Sequence, residues 1–203
     1  MSEPELLIDV SERVCTLTIN RPAKRNALSW DLIGELHQAL AVAKRDPQVR
    51  VVVITGAGDR AFCAGADLDG MAEGAGYAEL HDGRGRLALL FRELWELGKP
   101  TIARVRGYAL AGGFGLALAC DLVVAADDAT FGTPEIDVGL WPHMITVPLT
   151  RSMPPKKALE LMMTGRRVNA DEAEHIGFVT SVVSVGRLDA EVADLAQILS
   201  LIH

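Results

Sequence analysis

The most informative stretch of this chain is residues 107–121, whose sequence is Gly-Tyr-Ala-Leu-Ala-Gly-Gly-Phe-Gly-Leu-Ala-Leu-Ala-Cys-Asp. A strand-like run ends just before it at Val105, and the segment that starts at Gly112 has the apolar composition of a buried helix. Glycines at such a junction let the backbone approach a ligand, and a helix start offers unpaired N–H groups beside a positive dipole end. The stretch indicates an anion or oxyanion site, although glycines at a helix start also serve tight packing.

A second stretch of small residues follows another strand-like run. Residues 55–68, Thr-Gly-Ala-Gly-Asp-Arg-Ala-Phe-Cys-Ala-Gly-Ala-Asp-Leu, come after the apolar segment Val51 to Ile54. Two such loops can each supply one backbone N–H to a single carbonyl oxygen, which is the minimum oxyanion hole. The alternative is that both are ordinary tight turns.

Length and composition narrow the class of protein. The 203 residues are 49% apolar and carry a net charge of −7, which predicts a single domain with a large core. The sequence has no long basic run, so a nucleic-acid partner is not expected. It shows neither a signal-peptide pattern nor an apolar run long enough to span a membrane. Cys15, Cys63 and Cys120 are widely spaced and show no metal-ligand pattern, so we expect a cytoplasmic protein without a metal.

Strand-like and helix-like segments alternate along the chain, which predicts the α/β class. Strands are predicted at Leu6–Asp9, Val14–Ile19, Val49–Thr55, Thr101–Val105 and Leu122–Ala126. Helices are predicted after Ser29, at Leu87–Leu97, Gly112–Cys120 and Lys156–Thr164, after Asn169, and at Leu188–Leu199. The polar, Gly-rich segment Gly70–Gly85 is expected to be a mobile loop over the site.

Four motifs, in matching order and spacing, resemble the crotonase (enoyl-CoA hydratase/isomerase) superfamily. They are Asn20-Arg21-Pro22 with Asn26-Ala27-Leu28, then residues 62–68, residues 107–121, and Phe131-Gly132-Thr133-Pro134-Glu135. The resemblance covers roughly Leu6 to Val185. It implies a crotonase-like spiral of ββα turns over residues 1–185, with 186–203 beginning a shortened C-terminal helical region. It also implies a homotrimer or hexamer, weakened here by the short C-terminus.

The same resemblance implies chemistry on an acyl-CoA thioester of the kind used in fatty acid metabolism, with coenzyme A as part of the substrate and no other cofactor. Ala66 and Gly112 match the two positions whose backbone N–H groups polarise the thioester carbonyl in this family. Glu135 matches a general acid/base, and apolar neighbours would raise the pKa of its carboxyl toward neutrality. The alternatives for Glu135 are a solvated loop carboxylate and a structural hydrogen-bond partner.

Residues that bind the substrate are implied along two segments. Lys24 and Arg25 lie where the family passes the adenine and phosphates of CoA, although exposed cations are often only solvated. Asp67 is expected to shape its loop rather than react. The full set of implied binding residues is Lys24, Arg25, Ala27, Ala64, Asp67 and Leu68. Cys63 is interpreted as core filler, because no histidine pattern accompanies it.

Gly115 is the clearest departure from the family pattern. Hydratases of this family carry a second glutamate there, and two carboxylates are the usual means of holding and activating water. Gly115 is expected to leave empty volume in its place, so proton transfer of the isomerase type is favoured over hydration. His143 is a candidate second acid/base, with simple packing as the alternative. A further alternative is a catalytically impaired protein that binds acyl-CoA or serves in assembly.

Overall fold

The computed structural model describes residues 3–67 and 77–202, and for residues 77–84 it describes the backbone alone. Its strands are β1 (Leu6–Ser11), β2 (Val14–Ile19), β3 (Val51–Gly56), β4 (Ala61–Cys63), β5 (Thr101–Val105), β6 (Tyr108–Leu110), β7 (Leu122–Ala126), β8 (Thr130–Gly132), β9 (Val168–Asn169) and β10 (Ser181–Val183). Its α-helices are α1 (Trp30–Arg45), α2 (Tyr77–Trp95), α3 (Gly112–Ala119), α4 (Thr146–Ser152), α5 (Pro155–Thr164), α6 (Ala170–Ile176) and α7 (Leu188–Leu199). The predicted α/β class is confirmed.

The larger of two sheets has six strands in the order β1-β2-β3-β5-β7-β10. The β1–β2 pair is antiparallel, and the remaining pairs are parallel. Strand β3 is buried on both faces, as its run of β-branched residues predicts. Val52 and Ile54 belong to the main core, whereas Val51 and Val53 pack on the opposite face of the sheet. The sheet therefore lies between two apolar layers.

Helix α7 supplies the layer on that opposite face. Its buried residues Leu188, Val192 and Ala196 recur every four positions and pack in the same cluster as Val53 and Ile102. Residues 188–199 are thus integrated with the main sheet in the described structure.

The smaller sheet, β4-β6-β8-β9, positions the candidate site. Strands β4, β6 and β8 are parallel neighbours, so their carboxyl ends open on the same edge. Helix α3 begins directly beyond β6 and is buried along its whole length. A Cβ on its second residue, Gly113, would overlap the carbonyl oxygen of Cys63, so only glycine lets the helix pack this closely on β4.

The helices predicted after Ser29 and after Asn169 are both present, and each is capped by that residue. The Ser29 hydroxyl accepts a hydrogen bond from the N–H of Leu32 at 3.1 Å, at the start of α1. The side-chain oxygen of Asn169 accepts one from the N–H of Glu172 at 2.8 Å, at the start of α6. Each cap satisfies one of the N–H groups that a helix start leaves unpaired.

The predicted loop over 70–85 is wrong for its second half. Residues 77–85 form the first turns of α2, which begins ten residues earlier than Leu87 and ends at Trp95. Glycine costs about 1 kcal/mol in a helix interior, but the packed residues Leu90, Phe91 and Leu94 farther along the helix offset that cost. Residues 70–76 lie outside the described residues.

Candidate active site

Three parallel strands bring the candidate site residues to one edge of the smaller sheet. Ala66 follows β4, Gly112 follows β6 and Glu135 follows β8, each within three residues of the strand end. The register pairs Cys63 with Ala109 and Leu110 with Gly132. Because ligands of parallel sheets bind outside the carboxyl ends of the strands, this edge is the natural place for a substrate.

The backbone N–H groups of Ala66 and Gly112 lie close to each other. A Cβ built on Gly112 would be 3.9 Å from the Ala66 nitrogen, and one built on Gly65 would be 3.4 Å from the Gly112 nitrogen. Within residues 3–67 and 77–202, neither N–H donates a hydrogen bond. Two unused donors on adjacent segments are what a carbonyl oxygen with developing charge requires.

The backbone around Ala66 explains why its N–H is left over. Ala66 forms a parallel bridge with Leu28, in which the N–H of Leu28 donates to Gly65 O and the N–H of Asp67 donates to Leu28 O, both at 2.8 Å. The bridge thus uses the groups on either side of Ala66. It fixes the loop without consuming the donor.

A strained residue sets the direction of the second donor. Ala111 has φ 49° and ψ −127°, a conformation that costs a non-glycine residue about 1–3 kcal/mol. Its N–H donates to Gly132 O at 3.0 Å, which ties the turn to the end of β8. The next N–H, that of Gly112, stands at the first position of α3 and has no acceptor among the described residues.

Glu135 lies in a 3-10 turn, Pro134–Val138, that follows β8. Its Oε2 atom is buried and has no hydrogen-bond partner among the described residues. Burial raises the pKa of this carboxyl, and a hydrogen bond from its own backbone N–H partly opposes the shift. A buried, unpaired carboxyl oxygen excludes the fully solvated alternative and is suited to accepting and returning a proton.

Asp67 is held by an arginine that the sequence analysis did not single out. The Arg21 guanidinium donates to Asp67 Oδ2 at 2.8 Å and to the carbonyl oxygen of Ala27 at 2.5 Å. It also pairs with Glu5 at 2.9 Å. These contacts hold the loop after β4 against residues 21–27, as expected if Asp67 shapes that loop. The Asn-Arg-Pro motif was the available signal for Arg21.

The two cations implied at the CoA end have different surroundings. The Lys24 ammonium is 3.8 Å from Asp67 Oδ1, whereas Arg25 lines a cavity of about 240 Å³. Arg60 lines the same cavity, and Asn26 closes one side of it by donating to Ala57 O at 2.9 Å and to Ala61 O at 2.6 Å. Of the small residues expected nearby, Ala27 is buried and Ala64 donates its N–H to Arg25 O at 3.1 Å.

The remaining predicted residues are less informative. His143 is exposed at the start of a 3-10 turn, His143–Ile145, and its ring makes no hydrogen bond in the described part of the chain. Leu68 lies outside the described residues. Cys63 is fully buried, and desolvation raises the pKa of its thiol to about 12, which suits core filler and not a nucleophile.

The expected empty volume beside Gly115 is absent. A Cβ at this position would overlap the Cγ2 atom of Ile145 and would lie 2.9 Å from Phe91 Cζ. The prediction was wrong because the side chains that fill the space come from distant segments of the chain. Gly115 marks a filled apolar wall, and a larger side chain does not fit there unless its neighbours change.

The described residues include no group of three or more His, Cys, Asp or Glu side chains that could hold a metal ion. No helix in the described part of the chain combines the length and apolar character that crossing a bilayer requires.

Comparisons with known proteins agree on one family. The family model for enoyl-CoA hydratase/isomerase matches residues 9–201. The carnitinyl-CoA dehydratase of Proteus mirabilis is 41% identical over 184 residues, which are 90% of this chain and 69% of that relative. The crotonyl-CoA hydratase of Syntrophomonas wolfei is 38% identical over 197 residues, which are 97% of this chain and 75% of that relative.

A solved structure reproduces the whole described fold. The crystal structure of an enoyl-CoA hydratase from Mycobacterium smegmatis matches with a TM-score of 0.94 and 39% identity, covering 98% of this chain and 77% of that one. The fold and the four motifs therefore lead to the same group of proteins.

Proposed function

Since this chain belongs to the enoyl-CoA hydratase/isomerase family, we propose that it moves a proton beside the thioester of an enoyl-CoA, with Glu135 as the acid/base group. The observation that carries this proposal is the buried Oε2 of Glu135, which has no hydrogen-bond partner among the described residues and follows β8, the strand paired with the one that leads to Gly112. No second carboxylate accompanies it at Gly115.

The reaction needs only the groups already described. The thioester oxygen of a 3-enoyl-CoA accepts hydrogen bonds from the N–H groups of Ala66 and Gly112, which acidifies the proton on C2. The Glu135 carboxylate removes that proton, and the negative charge spreads onto the thioester oxygen as a dienolate. Glu135 then returns the proton to C4, which yields the 2-enoyl-CoA. Each oxyanion donor is typically worth about 3–4 kcal/mol to such a charged state.

The nucleotide end of CoA is proposed to lie at the cavity lined by Arg25 and Arg60. Guanidinium groups bind phosphate well, and Lys24 is close enough to Asp67 for part of its charge to be balanced there. Ala27, Ala64 and Leu68 would line the path between this cavity and the oxyanion donors. A pantetheine thioester, which lacks the nucleotide, should therefore bind more weakly than the CoA thioester.

Water addition or removal is the second candidate, because the names of two relatives denote it: a dehydratase and a hydratase. It would need a group other than Glu135 to hold the water, and exposed His143, eight residues after Glu135, is the candidate for that role. An acyl-CoA-binding protein without turnover is the third. Assays on 2-enoyl-CoA and 3-enoyl-CoA beside a CoA-thioester binding titration separate the three.

The decisive variant is Glu135→Gln, which keeps the shape of the side chain and removes its proton chemistry. We expect the kcat for 3-enoyl-CoA isomerisation to fall by roughly 10²–10⁴-fold, with thioester affinity nearly unchanged. An unchanged kcat would move the chemistry to another residue. Binding without turnover by the unmodified chain, over a broad thioester panel, would favour the third candidate.

A further inference from the structure

The wall beside the two oxyanion donors is built from hydrocarbon. Leu87 and Phe91, one turn apart on α2, run alongside Gly112 and Gly115 on α3: a Cβ on Gly112 would be 3.2 Å from Leu87 Cδ2, and one on Gly115 would be 2.9 Å from Phe91 Cζ. Ile145 completes the wall, because its Cβ and Cγ2 atoms are the other nearest neighbours of that Gly115 position. Phe91 and Ile145 are each only 1% exposed.

Ile145 is held firmly in this position. It ends the 3-10 turn at 143–145, where its N–H donates to Pro142 O at 3.2 Å. The next residue, Thr146, donates its hydroxyl to the same carbonyl oxygen at 3.0 Å and begins α4. A β-branched side chain on a turn fixed in this way has little rotamer freedom, so the space beside Gly115 stays filled.

We propose that Ile145 determines the type of reaction, by filling with methyl groups the space from which a carboxylate at position 115 would hold a water molecule. This inference rests on the proposed function, and it identifies the residue that prevents water addition at the same site. Adding water to a 2-enoyl-CoA joins its oxygen to C3, sends one of its protons to a base and places a proton on C2. An ordered water needs polar partners, and the three atoms nearest to a Cβ at position 115, apart from the backbone of α3 itself, are all carbon.

Gly115 and Ile145 exclude water together, which makes the exclusion testable. Ile145 occupies the space that a side chain at position 115 would need, and it fits there because glycine has no side chain. Gly115→Glu alone should therefore destabilise the chain by overlap, whereas Gly115→Glu with Ile145→Gly should restore both the room and the carboxylate. In the double variant we expect crotonyl-CoA hydration to rise by about 10²-fold or more over the unmodified chain, the usual weight of an acid/base group.

A second measurement does not depend on the double variant folding. Ile145→Ala alone opens the space to water, so in D₂O the isomerised product should carry several times more solvent deuterium than the product of the unmodified chain. The matched control is Ile102→Ala, which makes the same truncation at a fully buried isoleucine on the opposite face of the main sheet. It should lower the melting temperature without changing deuterium incorporation.

The outcomes separate this inference from the function on which it rests. If the unmodified chain isomerises 3-enoyl-CoA through Glu135 but Ile145→Ala leaves deuterium incorporation unchanged, Ile145 does not exclude water. A folded double variant that binds CoA thioesters and gains no hydration overturns the inference in the same way. Rapid crotonyl-CoA hydration by the unmodified chain would overturn it too. If instead the unmodified chain shows no isomerisation, or if Glu135→Gln does not lower its kcat, the result counts against the proposed function.

Discussion

The backbone N–H of Gly112 can be tested separately from its side-chain position. Gly112→Pro removes the donor, whereas Gly112→Ala keeps it and adds the same Cβ beside Leu87, 3.2 Å away. Proline is tolerated at the first position of a helix, where the N–H has no intrahelical partner. We expect kcat to fall about 10²–10³-fold for Gly112→Pro and far less for Gly112→Ala.

Circular dichroism melts of both Gly112 variants provide the control for folding. A stable Gly112→Pro protein with normal turnover would show that the Gly112 N–H is not one of the oxyanion donors. Equal losses in both variants would show that crowding against Leu87 is responsible and not the missing donor.

Glu135 should make the stability of the chain depend on pH in a direction opposite to that of an ordinary ion-paired carboxylate. Burial raises the pKa of its carboxyl above the ordinary value of 4.5, so between those two values the folded state binds more protons than the unfolded state. The contribution of Glu135 to the free energy of unfolding is therefore full below pH 4.5 and is lost as pH rises through the raised pKa.

Glu135→Gln removes that titration, so the variant should gain stability relative to the unmodified chain as pH rises. Urea unfolding of both proteins, at a pH below the ordinary glutamate pKa and again at neutral pH, measures the change. A stability difference that is the same at both pH values would mean that the Glu135 carboxyl titrates as a solvated group does.

Single elements show where local sequence was sufficient and where it was not. Strands β2, β5 and β7 have the predicted bounds, because long apolar or β-branched runs specify a strand locally. The three-residue strands β4 and β6 were not predicted, since their small residues become strands only through pairing with distant partners. Those short strands position the site, so its motifs were predictable and its geometry was not.

The contrast extends to the interior of the site. The resemblance of the motifs around Gly112 and Glu135 to the family implied an oxyanion donor and an acid/base group before any geometry was known. The filling of the space at Gly115 could not be predicted, because Phe91 and Ile145 reach it from α2 and from the turn before α4. Which side chains meet in a core depends on tertiary packing, which periodicity does not encode.

The turn between β6 and α3 stores strain that a substitution can release. Ala111 has positive φ, a conformation in which glycine pays no steric penalty. We expect Ala111→Gly to raise the free energy of unfolding by about 1 kcal/mol, because the relief of strain exceeds the entropy that glycine adds to the unfolded chain. Chemical denaturation measures the change. A loss of stability would mean that the Ala111 methyl contributes more by packing than the conformation costs.

Among the described residues, six of the fourteen exposed large apolar side chains lie in residues 136–163, called here the 136–163 segment, and the others include groups at residues 7–10 and 198–202. This segment follows Glu135 and runs through α4 and α5, and Thr133 ties its beginning to α5 by donating its hydroxyl to Leu161 O at 2.7 Å. Its large exposed residues are Ile136, Val138, Leu140, Val147, Leu159 and Met163. Apolar surface of this kind is a common site of protein association.

We expect self-association through the 136–163 segment, with a mass that rises with concentration in light scattering. Val138 and Leu140 are 65% and 49% exposed, so Val138→Lys with Leu140→Lys should disturb no core and weaken association about tenfold or more, because contact would bury unpaired charges. The matched control is Val42→Lys, at a 62% exposed position on α1 outside the segment, which should leave the mass unchanged.

If light scattering shows a monomer at every concentration, the chain does not self-associate and the prediction is wrong. A tight trimer or hexamer that the double variant leaves intact would place the interface elsewhere, and equal weakening by Val42→Lys would show a general effect of charge.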